Sequence, residues 1–191
     1  MKQHVKARRH RTLLTFAAAT AMAALSTTSA QAAQQLPADF EINRIVNQQS
    51  GFCLEVNDGN PENGARAQQW SCAGGTSAWM RWRWEKIGPV DPNVWGGGGT
   101  VYRIRNASTN KCLEVADSRL DNGAPVQQWT CENVNTQKWI LDHDPWTFRT
   151  AVLANLNSLK CLEIPDASVG SNGALAHQWT CGEGIAQKWD Y

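Results

Sequence analysis

The chain has 191 residues, a formal net charge of +1, 42% hydrophobic residues and ten tryptophans. Five of its 18 Lys and Arg and none of its 17 Asp and Glu lie in the first 32 residues, so residues 33–191 carry 13 basic against 17 acidic side chains, a net charge of −4. A mildly acidic body argues against a nucleic-acid partner, whose binding rests on phosphate neutralisation, and about 159 residues suffice for one domain with a real core but not for two.

In chain order, residues 1–32 read as an export signal. Lys2, Lys6, Arg8, Arg9 and Arg11 precede an apolar run over 13–25, and small residues follow, ending Ala30-Gln31-Ala32. Cleavage is expected after Ala32, giving a secreted, extracellular protein. Arg8-Arg9 suggests a twin-arginine route, but His10 and Arg11 stand where that signal turns apolar, so the export route stays open. The apolar run falls short of the roughly 20 residues of a transmembrane helix, and no later segment approaches that length, so no membrane insertion is expected. Residues 33–40 read as an N-terminal extension.

From about residue 41 the chain writes one unit three times. "GFCLEV" (51–56), "NKCLEV" (110–115) and "LKCLEI" (159–164) each precede an Asn-Gly-Ala, at 63–65, 122–124 and 172–174. Each then leads into "QQWSC", "QQWTC" or "HQWTC", and the second and third copies close with "QKW" at 137–139 and 187–189. The repeats run over about 41–87, 101–143 and 147–191. The first copy closes with "MRW" inside "SAWMRWRW" (77–84), with two residues gained and Met80 in the place of the glutamine. Alone, that alternation of Trp and Arg suggests a lipid-seeking surface. In frame it is a strand end, with Trp82 and Trp84 on one face and Arg81 and Arg83 on the other. The stretch "GPVDPNVWGGGGT" (88–100) reads as a flexible inserted loop.

Each copy holds about four short segments of strand character separated by turn residues, with no convincing helical period. In the second copy they are 101–106, 111–115, 126–130 and 138–141. Three copies of four strands predict an all-β protein closed with pseudo-threefold symmetry, which buries strand edges and suits a monomer.

The six cysteines fall two per copy. Six allow 15 connectivities, but the repeat favours bridges within copies: Cys53 with Cys72, Cys112 with Cys131, and Cys161 with Cys181. Loops of that length contribute on the order of 3 kcal/mol each in the chain-entropy account. No copy has the clustered Cys/His spacing that zinc requires, so neither metal nor other cofactor is expected. On a strand, Cys112 and Glu114 share one face while Leu113 and Val115 share the core-directed one; Gln127, Trp129 and Cys131 likewise share a face. A Cys112–Cys131 bridge then gathers a carboxylate, an amide and an indole around one shallow surface. That set suits a pyranose, whose hydroxyls bond to the acid and whose C–H face stacks on the ring.

These residues resemble the ricin B-type lectin domain, a β-trefoil whose three repeats each carry a Cys-Leu-acid-Val strand, a Gln-x-aromatic strand ending at a second Cys, and a closing Gln-x-Trp. The likeness covers about residues 42–191. It implies a carbohydrate-binding protein, for galactose- or xylose-type glycans, with up to three shallow sites. The sugar acid would be Glu55, Glu114 and Glu163, its polar partner Gln68, Gln127 and His177, and the stacking platform Trp70, Trp129 and Trp179, with Gln137 and Gln187 as closing amides. All three copies carry Glu where sugar-binding relatives most often have Asp. Trp79, Thr136 and Ala186 replace the usual Asn before the closing Gln, and the first copy lacks both closing amides. The sites therefore rank second, third, first.

Structural roles compete with these. Trp82, Trp139 and Trp189 read as core; Gln137 and Gln187 read as turn braces before ligand contacts. Asp58, Asp117 and Asp166 read as turn organisers, or as substitutes for a misplaced Glu. His143 and His177 are isolated, and no nucleophile–base set presents itself. The repeated Glu residues belong to separate lobes, so glycoside hydrolysis by a carboxylate pair is not expected and the protein reads as a non-enzyme. Two alternatives remain: a sugar-inactive trefoil that binds or inhibits proteins through its loops, using Trp95 and Trp79, and a glycosidase accessory without its enzyme.

Overall fold

A computed structural model describes residues 42–74, 77–143 and 150–191. The predicted signal and N-terminal extension lie outside the described residues. The first repeat contains β1 (Ile42–Asn43), β2 (Val46–Asn47), β3 (Cys53–Val56), β4 (Ala67–Trp70) and β5 (Trp82–Pro89). The second contains β6 (Thr100–Asn106), β7 (Cys112–Val115), β8 (Ala124–Trp129) and β9 (Lys138–His143). The third contains β10 (Thr150–Asn155), β11 (Cys161–Glu163), β12 (His177–Trp179) and β13 (Trp189–Asp190). Strand character predicted twelve elements, and the one extra arises in the first repeat. There a single extended stretch changes partner midway: β1 pairs with β5, and β2 with β13 and β3.

Pairing runs β5 to β6, β6 to β9, β9 to β10, β10 to β13 and β13 to β2, and β1 returns to β5, so six strand positions close a barrel. The hairpins β3–β4, β7–β8 and β11–β12 cap one end of it. They join through β8 and β12 and through the bridges Arg66 to Gln127 and Gln68 to Leu175. Arg66, Pro125 and Leu175 occupy equivalent positions in the three repeats, and Arg66 donates to Val126 O (3.3 Å) and Ala176 O (3.1 Å). Half-burial holds its guanidinium below the ordinary arginine pKa.

The barrel interior is filled by the periodic apolar positions. Trp82, Trp139 and Trp189 are fully buried, and each indole N–H finds the carbonyl of the leucine after its repeat's first cysteine: Leu54 (2.9 Å), Leu113 (2.9 Å) and Leu162 (3.0 Å). A buried indole with a partner for its nitrogen combines large apolar burial with polar satisfaction. Trp84 is also fully buried and meets Tyr102 edge-on at 5.4 Å, so Trp82 and Trp84 pack inward as their shared register requires, while Trp79 before them stays exposed.

The 88–100 stretch is not the flexible loop that its glycines suggest. The β5–β6 ladder continues to Gly88–Val101 and Pro89–Thr100. Beyond it, Trp95 donates to Asp142 Oδ2 (2.7 Å) and packs on the cluster of Val90, Val101 and Ile140. Trp95 is therefore a half-buried anchor and not an exposed docking residue.

The Asn-Gly-Ala loops stitch each lobe to the next. The Thr130 amide donates to Asn63 Oδ1 (3.0 Å), the Thr180 amide to Asn122 Oδ1 (2.9 Å) and the Ser71 amide to Asn172 Oδ1 (2.7 Å). The second glutamine of each Gln/His-Gln-Trp, fully buried, clamps the same neighbouring loop: Gln128 donates to Asn60 O and Glu62 O, and Gln178 to Arg119 O and Asp121 O. Buried side-chain amides satisfying loop carbonyls remove the desolvation penalty those carbonyls would otherwise carry.

Candidate functional site

The hairpin registers set the chemistry. Cys53, Cys112 and Cys161 stand opposite Trp70, Trp129 and Trp179, and two positions on Glu55 faces Gln68, Glu114 faces Gln127 and Glu163 faces His177. Alternation puts acid, polar partner and indole of each repeat on one face of its hairpin. The disulfides form within repeats, Cys53–Cys72, Cys112–Cys131 and Cys161–Cys181, and lock the chain that leaves each hairpin back onto its first strand.

In the second lobe Glu114 accepts from Gln127 Nε2 on one oxygen (2.9 Å) and from Gln137 Nε2 on the other (2.8 Å). Gln137 also donates to Thr130 O (2.9 Å) and accepts from the Glu132 amide (2.7 Å). Trp129 is 38% exposed. With Glu114, Asp117, Gln127, Val134 and Thr136 it lines a cleft of about 230 Å³. Gln137 is fully buried, so its reach toward the cleft ends at the carboxylate it holds.

The third lobe repeats this with one exchange. His177 Nε2 lies 3.0 Å from Glu163 Oε1, and Gln187 Nε2 donates to Glu163 Oε2. His177 stacks on Trp179 at 5.4 Å, and Trp179 is 42% exposed.

The first lobe departs furthest. Gln68 donates to Glu55 (2.8 Å), but Met80 occupies the closing position and offers no amide. Trp79 lines the same cleft as Glu55 in that lobe. Trp79 lies against Gly59, whose φ of +62 and close approach to the ring leave no room for a side chain. Burial raises the Glu55 carboxyl above its ordinary value of 4.5; the Gln68 bond opposes this, the Asp58 charge adds to it and the nearby Trp79 indole opposes it. Glu55, Asp58, Trp70, Ser77, Trp79 and Met80 line a cleft of about 310 Å³.

The structure thus brings Glu55, Gln68 and Trp70, then Glu114, Gln127, Trp129 and Gln137, then Glu163, His177, Trp179 and Gln187, into three separate groups. Sequence reasoning did not place Trp79 in the cleft of Glu55. Its signal was the two-residue insertion, which gives the segment before Trp82 room to lay an indole along the cleft. Asp58 and Asp117 adopt left-handed backbone (φ 50 and 54) and line their clefts, while Asp166 lies exposed in a turn. His143 belongs to no group; it bonds to the Tyr191 hydroxyl at the barrel end. Among the described residues no group of three His, Cys, Asp or Glu side chains could hold a metal ion.

The sequence matches the family model described as ricin-type beta-trefoil lectin domain-like over residues 36–129 and again over 78–179, a displacement of about one repeat. The chain belongs to the ricin-type β-trefoil lectin family. Among solved structures, the designed threefold-symmetric protein ThreeFoil is similar to this lectin-family chain at 28% identity and a TM-score of 0.65, covering 78% of this chain and 96% of its own. An exo-beta-1,3-galactanase from Clostridium thermocellum matches at 24% identity and a TM-score of 0.67, over 82% of this chain but only 30% of its own. The Macrolepiota procera ricin B-like lectin, solved in complex with lactose, matches at 15% identity and a TM-score of 0.60, over 82% of this chain and 97% of its own. Those last two likenesses speak of fold. A search of curated proteins gives no match.

Proposed function

We propose that this ricin-type trefoil is a secreted, non-catalytic carbohydrate-binding protein that holds glycan residues at shallow sites, the second lobe being the best formed. The observation that carries this reading is the pairing of a half-exposed Trp129 with a Glu114 carboxylate fixed at both oxygens by Gln127 and Gln137. A preorganised acid accepts sugar hydroxyls without first losing side-chain freedom, and the ring offers a face for C–H stacking. The third lobe offers the same geometry with His177 and Trp179. Galactose and xylose are the proposed sugar types, each site binding weakly and retention coming from several sites on one polymer. The signal over residues 1–32 is proposed to direct export and to be removed after Ala32.

The test is retention of the residue 33–191 protein on immobilised polysaccharides, competed by free galactose or xylose, beside a glycan array. Competition that disappears in Trp129→Ala with folding intact supports the reading. Retention unchanged when Trp70, Trp129 and Trp179 are all replaced by Ala refutes the sites, and binding to no glycan refutes the function.

A further inference from the structure

The first lobe is the one departure from threefold order that adds a functional group instead of only losing one. Its cleft has two exposed indoles, Trp70 at 39% and Trp79 at 37%, where the second lobe has Trp129 facing Val134 and Thr136. Met80, soft and polarisable, replaces the closing amide. Two carboxylates, Glu55 and Asp58, line the same cleft and no Lys, Arg or His does, an acidic lining that the second-lobe cleft shares; what sets the first lobe apart is the second indole beside those acids. Met80 offers a sugar hydroxyl no strong hydrogen-bonding group in that place. Aromatic walls beside carboxylates instead attract a cation, through the ring quadrupole and through charge-assisted hydrogen bonds.

The cleft is built in place. Gly59, in the left-handed region, permits the ring of Trp79 to lie against the backbone, and Asn106 Nδ2 holds the Trp79 carbonyl at 2.8 Å. Glu55 is 3% exposed and the like charge of Asp58 bears on it. A positive charge entering the cleft favours the ionised form of Glu55 and so offsets both the cost of its burial and that repulsion. The net charge of −4 over residues 33–191 draws polycations toward the whole molecule.

We propose that the first-lobe cleft binds an amino sugar bearing a free ammonium, with Glu55 and Asp58 as its counter-charges and Trp70 and Trp79 as its aromatic walls. The inference rests on the lectin reading above and assigns this lobe a substrate class different from that of the neutral-sugar lobes. Acetylation of the amine removes the charge and leaves the ring, so the N-acetylated saccharide is the discriminating comparison.

The intact disulfide-bonded chain is titrated with a fully deacetylated glucosamine trimer, with its N-acetylated counterpart and with galactose, below the pKa of the amine, and the indole N–H resonances are followed. The deacetylated trimer is expected to shift Trp70 and Trp79 with an affinity about tenfold above that of the acetylated one. Asp58→Asn keeps a residue tolerant of left-handed backbone. It is expected to weaken the deacetylated trimer about three- to fivefold and leave the acetylated one unchanged. Trp79→Phe, which keeps a ring of weaker quadrupole, checks the wall independently and is expected to weaken the same ligand. Equal affinity for the two trimers, or equal shifts from tetramethylammonium, overturns the amino-sugar assignment. Should galactose shift Trp129 while the glucosamine trimer leaves Trp70 and Trp79 unmoved, this inference fails and the lectin reading stands. Should no saccharide shift any indole, both fail.

Discussion

Trp129 and Trp139 belong to one lobe, yet the first leaves 38% of its surface in solvent and the second leaves none. The difference is register. Trp139 stands on a barrel strand facing inward and gives its N–H to Leu113 O, while Trp129 ends a hairpin strand opposite Cys112 and faces outward. Trp139→Ala is therefore expected to cost about 3–5 kcal/mol in urea unfolding. Trp129→Ala should cost less than about 1 kcal/mol but weaken polysaccharide retention roughly tenfold. Glu55 makes a second residue-scale case. Its folded pKa lies above the unfolded value of 4.5, so the fold holds this proton more tightly than the open chain does. That contribution is fully present below the unfolded pKa and is lost as pH rises through the folded one. Measured against Glu55→Gln, the parent should gain relative stability as pH falls from 7 toward 4.5, read from urea midpoints; a constant difference across that range would contradict the burial argument.

Between elements, the Asn-Gly-Ala loops carry more than turn chemistry. Gly64 has φ +83, and its α-carbon faces the Trp129 ring, as Gly123 faces Trp179 and Gly173 faces Trp70. Each platform is thus backed by the preceding lobe, and each hairpin end is capped by that lobe's asparagine. Asn63→Ala removes bonds to Thr130 N and Oγ1, with an expected stability cost of about 1 kcal/mol. The functional consequence should appear across the lobe boundary. Ligand-induced shifts at Trp129 should diminish while those at Trp179 persist, as followed by the same indole resonances.

For the whole molecule, closure and cross-linking act together. Six strand positions close the barrel, and three bridges tie each hairpin to itself. Replacing Cys112 and Cys131 together by Ala is expected to cost about 3 kcal/mol, measured by unfolding under non-reducing conditions. Because the bridge lies within one lobe, saccharide shifts at Trp179 should survive at conditions where the variant stays folded. Peptide mapping of the oxidised chain should recover only within-repeat pairs, and a pair joining two repeats would contradict the geometry.

Sequence alone determined what is periodic. The three Cys-Leu-Glu strands, the Trp pairs and the two cysteines per copy specified an all-β threefold body, its bridges and the acid–amide–indole groups, because strand alternation and repeat spacing are local rules. Tertiary structure decided what depends on neighbours distant in the chain. Asp142 pins Trp95 across 47 positions and makes an anchored hairpin of a glycine-rich loop. Gln137 is withdrawn behind Glu114 because barrel closure leaves it no surface. Trp79, counted as the loss of an asparagine, shares a cleft with Glu55 only because the fold brings β3 beside the inserted turn. No spacing rule encodes such contacts, since their partners are set by how three lobes close on one axis.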